Sequence, residues 1–149
     1  MTISRRQARE WAVQMLSAAD VNPPEDITQF IENFWLEVPL LDNTEGGLDG
    51  RKPRGKMKLF AEERVTGVLT NLQDIDETLK GLLEHWDLFR LGTIERVVLR
   101  LGVWEIRCTD VPAGVIINEA IDLVNWFSSP KSRTLINGVL DKYAKQMRK

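Results

Sequence analysis

Three arginines stand near the start of the chain, in "TISRRQARE": Arg5, Arg6 and Arg9. A guanidinium is a planar fork that grips phosphate or carboxylate oxygens two at a time, so such a cluster is a candidate anion-binding edge. On a helix turning about 100° per residue, Arg5 and Arg9 lie nearly one above the other, with Arg6 about a quarter turn away. Ser4 followed by Gln7 matches a capping box, which starts the helix at Arg5. Cations in a first helical turn oppose the helix dipole. A phosphate backbone would suit both features, meeting the free amides of the helix start and the forks beside them. A solvated basic face, with Glu10 and other acids nearby, is the competing reading.

The remaining reactive side chains do not assemble into a catalytic set. His85 is the single histidine and Cys108 the single cysteine, and neither lies at metal-ligand spacing from suitable partners. No metal site is expected, and no cofactor. A thiol–imidazole pair is conceivable from these two residues, but neither has an activating local sequence, and Cys108 reads as a small apolar residue. "GG" at 46 and 47 lacks the preceding strand and the lysine-serine continuation of a phosphate loop. Acidic residues lie at helical spacing on solvent faces, so no general acid or base stands out.

The elements that must carry these residues are helices. Ala8, Trp11, Ala12, Met15 and Ala19 form the buried stripe of the first, which "NPP" at 22–24 stops. A second helix follows Pro24 with Ile27, Phe30, Ile31 and Phe34 on one face, and Pro39 is expected to close it. From 39 to 56 the period vanishes in "PLLDNTEGGLDGRKPRGK", the mark of a long mobile loop, which holds Arg51, Lys52, Arg54 and Lys56. A third helix is expected from Lys58, with Leu59, Phe60, Val65, Val68, Leu69 and Leu72 inward. Asp74 reads as the cap of a fourth, bearing Ile75, Leu79, Leu82, Leu83 and Trp86, and Thr93 as the cap of a fifth, bearing Ile94, Val97, Val98 and Leu101. Two more cover Pro112 to Phe127 and Lys131 to Met147, with Gly138 placed at a tight helix crossing. About seven helices with mostly short connections define an all-α bundle architecture.

Composition sets the outer limits. At 149 residues the chain reads as a single domain able to bury its own core. Hydrophobic content of 43% with 28% charged residues excludes general disorder. A formal charge of −2 confines any nucleic-acid binding to local patches. One cysteine allows no internal disulfide, so the reducing cytoplasm is the expected compartment. No apolar run approaches the roughly 20 residues that span a bilayer.

Three blocks carry a family resemblance. "RRQAREWAVQML", "IERVVLRLGVWEI" and "VPAGVIINEAIDLVNWFSSPKSRTLINGVLDKY" together resemble the NusB family of transcription antitermination factors, in order and over almost the whole chain outside 39–56. The resemblance implies an all-α fold of two packed three-helix bundles. It implies a heterodimer with the ribosomal protein NusE, and joint binding of boxA-type single-stranded RNA within an antitermination complex on RNA polymerase, especially in ribosomal RNA synthesis. Arg5, Arg6 and Arg9 match the family's RNA-binding helix. Asp122 and Phe127 match positions on its RNA side, where an exposed aromatic stacks on an unpaired base. Phe127 also continues the buried stripe of its own helix, so a core role stands beside that one. Glu95 matches an acidic position that touches NusE, with a plain exposed helix residue as the alternative. Glu119 is placed to pair with Arg96 or Arg100 as a packing device.

The stretch 39–56 is longer than the family's usual connection, and its cations either extend an RNA path or keep a loop soluble. Helical faces buried within a domain and between subunits look alike, so a homodimer is compatible with the pattern. Two other readings are a helical protein-interaction module with no RNA role, and a stand-alone relative of the RNA-binding domain of ribosomal RNA cytosine methyltransferases.

Overall fold

The helical periods seen in the sequence become seven α-helices and one 3₁₀ turn in the computed structural model, with no strand among the described residues. Those residues are 4–41, 55–127 and 132–148. The chain divides into two compact units, Met1–Leu69 and Thr70–Lys149.

In the first unit, α1 (Arg5–Val21) begins as its sequence dictates: the Ser4 hydroxyl accepts from the Gln7 amide at 3.1 Å. Its buried face holds Ala8, Trp11, Ala12, Val13, Met15, Leu16 and Ala19. Helix α2 (Ile27–Leu41) is capped by Asp26, whose carboxylate accepts from the Gln29 amide at 3.0 Å. Pro39 does not end it: the helix runs on to Leu41, because a proline forfeits one backbone bond and the last turn survives that loss. Ile31 and Trp35, one turn apart, supply the buried side of α2. Trp35 meets Trp11 edge to face at 5.4 Å between ring centroids, and its Nε1–H donates to Glu62 on α3 at 2.9 Å.

Helix α3 (Gly55–Thr70) starts three residues before Lys58, and buries Ala61, Arg64, Val65 and Val68. Leu59, expected inward, is 57% exposed, because the buried face of α3 turns through Ala61 and Arg64 instead. Most of the expected loop, residues 42–54 with Arg51, Lys52 and Arg54, lies outside the described residues. Lys56 belongs to the first turn of α3 and is exposed.

The second unit is built around α5 (Thr93–Cys108), which buries ten of its residues, polar Arg96, Arg100 and Glu105 among them. Its cap is Gly92 rather than Thr93, which falls at the first helical position. Helix α4 (Leu72–Leu82) likewise starts before its expected cap. Asp74 sits inside the first turn, where the dipole still favours a carboxylate, and pairs with Arg107. A 3₁₀ turn, Leu88–Arg90, precedes α5. Helix α6 (Ala113–Phe127) buries Ile116, Ile117, Ala120, Leu123 and Val124, and α7 (Ser132–Met147) buries Ile136, Val139, Leu140, Tyr143 and Ala144.

The close helix crossing lies at Gly102, not Gly138. A Cβ on Gly102 would come within 2.7 Å of one Leu140 methyl and 2.8 Å of the other, whereas a Cβ on Gly138 would meet open space. The inward stripe of α7 passes through Ile136, Val139 and Leu140 and leaves position 138 on the outer face.

Polar ties complete the second unit. Arg100 grips Asp76 with both arms, at 2.7 and 2.9 Å, joining α5 to α4. Arg96 donates to the carbonyls of Leu88 and Leu91, holding the 3₁₀ turn against α5. Arg107 donates to Tyr143 and Thr78 as well as Asp74. Burial works against its charge, but the bonds to Tyr143 and Asp74 outweigh burial and hold its pKa above the ordinary value. Arg148 donates to the carbonyls of Ile106, Thr109 and Val111, which satisfies the open end of α5. Among the described residues no helix is long and apolar enough to cross a membrane.

Candidate nucleic-acid interface

The amino-terminal arginine cluster separates into two kinds of residue. Arg5 and Arg6 are exposed on the first turn of α1, held in register by the Ser4 cap. Arg9 is only 3% exposed, with its guanidinium 5.0 Å from the centroid of Phe60 on α3. Arg64 lies over the same ring at 3.4 Å and is also buried. One aromatic quadrupole thus serves two cations, and Arg9 joins α1 to α3 instead of facing solution. The sequence carried a signal for this. Small Ala8 and Ala12 flank Arg9, and Arg9, Val13 and Leu16 follow the spacing of a buried edge.

In the second unit, Asp122 and Phe127 both lie on α6 and are both half-buried. Phe127 is therefore neither a full core residue nor an open platform. Its neighbour Trp126 is 77% exposed, and sequence reasoning passed over it. Periodicity could have found it, since position 126 falls off the stripe through Ile117, Ala120 and Val124.

Glu95 is half-buried at the third position of α5, and its Oε1 accepts from the Ser132 hydroxyl at 2.7 Å. Its other carboxylate oxygen lies where a Cβ on residue 92 would stand, so the absent side chain of Gly92 lets the carboxylate fold back over the helix start. Glu95 thereby ties the beginning of α5 to the beginning of α7. This engagement fixes the direction of a residue that periodicity shows only as a helix-face acid.

Among the described residues no three histidine, cysteine, aspartate or glutamate side chains come together in a group able to hold a metal ion. His85 is exposed. So is Cys108, which as the last residue of α5 falls beyond the packed part of that helix.

The described residues form a helical protein with an exposed arginine pair on a capped helix start in the first unit and an acid and an open indole on α6 of the second, and no metal-binding group among them. Residues 6–145 match the NusB family model, and the chain belongs to that family. It is 39% identical to the transcription antitermination protein NusB of a Nitratiruptor species, over 97% of this chain and 94% of that one. It is 36% identical to the protein of the same name from Wolinella succinogenes, over 98% of each chain. Among solved structures, T. maritima NusB superposes with a TM-score of 0.80 at 31% identity, covering 100% of this chain and 96% of that one. A structure of the antitermination factors NusB and NusE in complex with double-stranded RNA shares the fold at a TM-score of 0.76 and 24% identity, over 95% of this chain and 96% of that one.

Proposed function

We propose that this chain is a non-catalytic transcription antitermination factor of the cytoplasm, which pairs with the ribosomal protein NusE and binds boxA-type single-stranded RNA in nascent transcripts, including ribosomal ones, within the antitermination complex on RNA polymerase. The observation that carries the reading is the exposed pair Arg5 and Arg6 on a capped first turn, in a chain of the NusB family. Their forks and the free amides of the helix start meet phosphate oxygens together. Arg9 supports them from behind: buried on Phe60, it fixes the helix that presents them. Asp122 and Phe127 face the bases, and Glu95 contacts NusE. The neighbouring complex of NusB, NusE and RNA supports the assignment of partners.

The test is binding of a boxA-type single-stranded RNA, with and without purified NusE, for the native chain and for Arg5→Ala with Arg6→Ala. Two lost phosphate contacts lower affinity about tenfold or more at moderate salt, and flatten the log–log salt slope by about 1.4. An unchanged affinity and slope would refute the arginine assignment. Absence of RNA binding by the native chain even with NusE present would overturn the function itself.

A further inference from the structure

At the start of α5 a carboxylate occupies the place of a side chain. Gly92, the cap of that helix, has φ −61° and ψ 155°, an extended conformation open to any residue, so its backbone does not call for glycine. Space does. A Cβ on residue 92 would collide with Glu95 Oε2 and stand 3.3 Å from the carboxyl carbon. Capping alone does not require this arrangement, since a glutamate at the third helical position reaches back over a serine or threonine cap as well. The other oxygen, Oε1, accepts from the hydroxyl of Ser132, the first residue of α7, at 2.7 Å. Two residues far apart in the chain thus act on one half-buried carboxylate.

We infer that Gly92 and Ser132 are positioning residues for the partner contact of Glu95, holding its carboxylate in one orientation to accept from a hydrogen-bond donor or cation on NusE. This deepens the partner reading proposed above and rests on it. A glutamate that turns freely loses rotamer freedom when a partner grips it, whereas one already fixed has little left to lose. The Ser132 hydroxyl donates a single bond and carries no charge, so it orients the carboxylate without neutralising it. Gly92 supplies the room in which that orientation exists.

The experiment measures NusE affinity for the native chain, Gly92→Ala, Ser132→Ala, Ser132→Thr and Glu95→Ala, and for the first two alanine substitutions each combined with Glu95→Ala. The methyl group of Gly92→Ala displaces only the far end of a flexible side chain, so the fold survives while the carboxylate turns away. Gly92→Ala and Ser132→Ala are each expected to weaken NusE binding about two- to tenfold, the range set by ordering one long side chain. Ser132→Thr keeps the hydroxyl and the native affinity. In the Glu95→Ala background neither substitution weakens binding further, because the group they orient is gone. Circular dichroism, and binding of boxA-type RNA without NusE, stay native in every variant.

Native NusE affinity in Gly92→Ala and Ser132→Ala, with Glu95→Ala weakened, would overturn the positioning role and leave Glu95 as a contact. Tighter binding in either variant would overturn it as well, by showing that the bond to Ser132 withholds the carboxylate from the partner. Further weakening on top of Glu95→Ala would assign the effect to the helix start instead. Native affinity in Glu95→Ala would remove the Glu95 contact and this proposal with it, and a native chain that binds no NusE would remove the partner reading itself.

Discussion

Arginine plays different roles in this molecule according to what its neighbours leave it. Arg5 and Arg6 are exposed, Arg9 and Arg64 share the ring of Phe60, and Arg100 is sealed against Asp76. A buried ion pair adds little net stability over an apolar pair of the same shape, but removing one member strands a charge. Asp76→Ala is therefore expected to lower the unfolding free energy by about 3–5 kcal/mol in urea titration, with Arg100→Met recovering most of it in the double variant. Residue type alone could not show this division of labour. Arginine is read from sequence as a surface residue, and only the ring of Phe60, brought in by another helix, makes position 9 an interior one.

Helices were legible wherever an apolar stripe ran for several turns, because the period of 3.6 leaves few alternatives for segments such as "IERVVLRLGVWEI". Their ends were less legible. Thr93 and Asp74 have the chemistry of caps, yet chain geometry places the α5 cap at Gly92 and the α4 start at Leu72. The 3₁₀ turn at Leu88–Arg90 is too short to show any period. Helix crossings escaped for another reason: which glycine is approached depends on a partner helix distant in the chain. Gly102→Ala puts a methyl group against both Leu140 methyls, and a cost of about 1–3 kcal/mol is expected, read as a lowered melting temperature. Gly138→Ala, facing open space inside a helix, should be neutral or slightly stabilising in the same assay.

For the molecule as a whole, 22 acidic side chains nearly balance 20 lysines and arginines, so pH acts through particular pairs more than through net charge. Lys142 donates to Glu84 at 2.8 Å, and this hydrogen bond, then the lysine's charge, holds the Glu84 carboxyl below the ordinary glutamate range. A carboxyl lowered in this way stabilises the fold above its unfolded value and loses that contribution as pH falls through the folded one. Lys142→Gln should melt slightly below the native chain at about pH 6 in low salt, and together with it at about pH 2.5. The pair is exposed, so the gap is small and closes with added salt. The family blocks made the function legible at this scale. Trp126 lies off the buried stripe of α6, a position that periodicity marks but that a reading aimed at the core and the family blocks passes by.

The pairing of Trp11 with Trp35 gives the molecule an optical consequence. Both indoles are buried in the first unit, whereas in the second Trp86 and Trp126 stand in water and Trp104 is half-buried. Light emitted by the buried pair is shifted toward the blue, and light from the exposed indoles toward the red. The blue edge of the emission is thus weighted toward the unit that presents Arg5 and Arg6, and the red edge toward the unit that presents Asp122, with no dye attached.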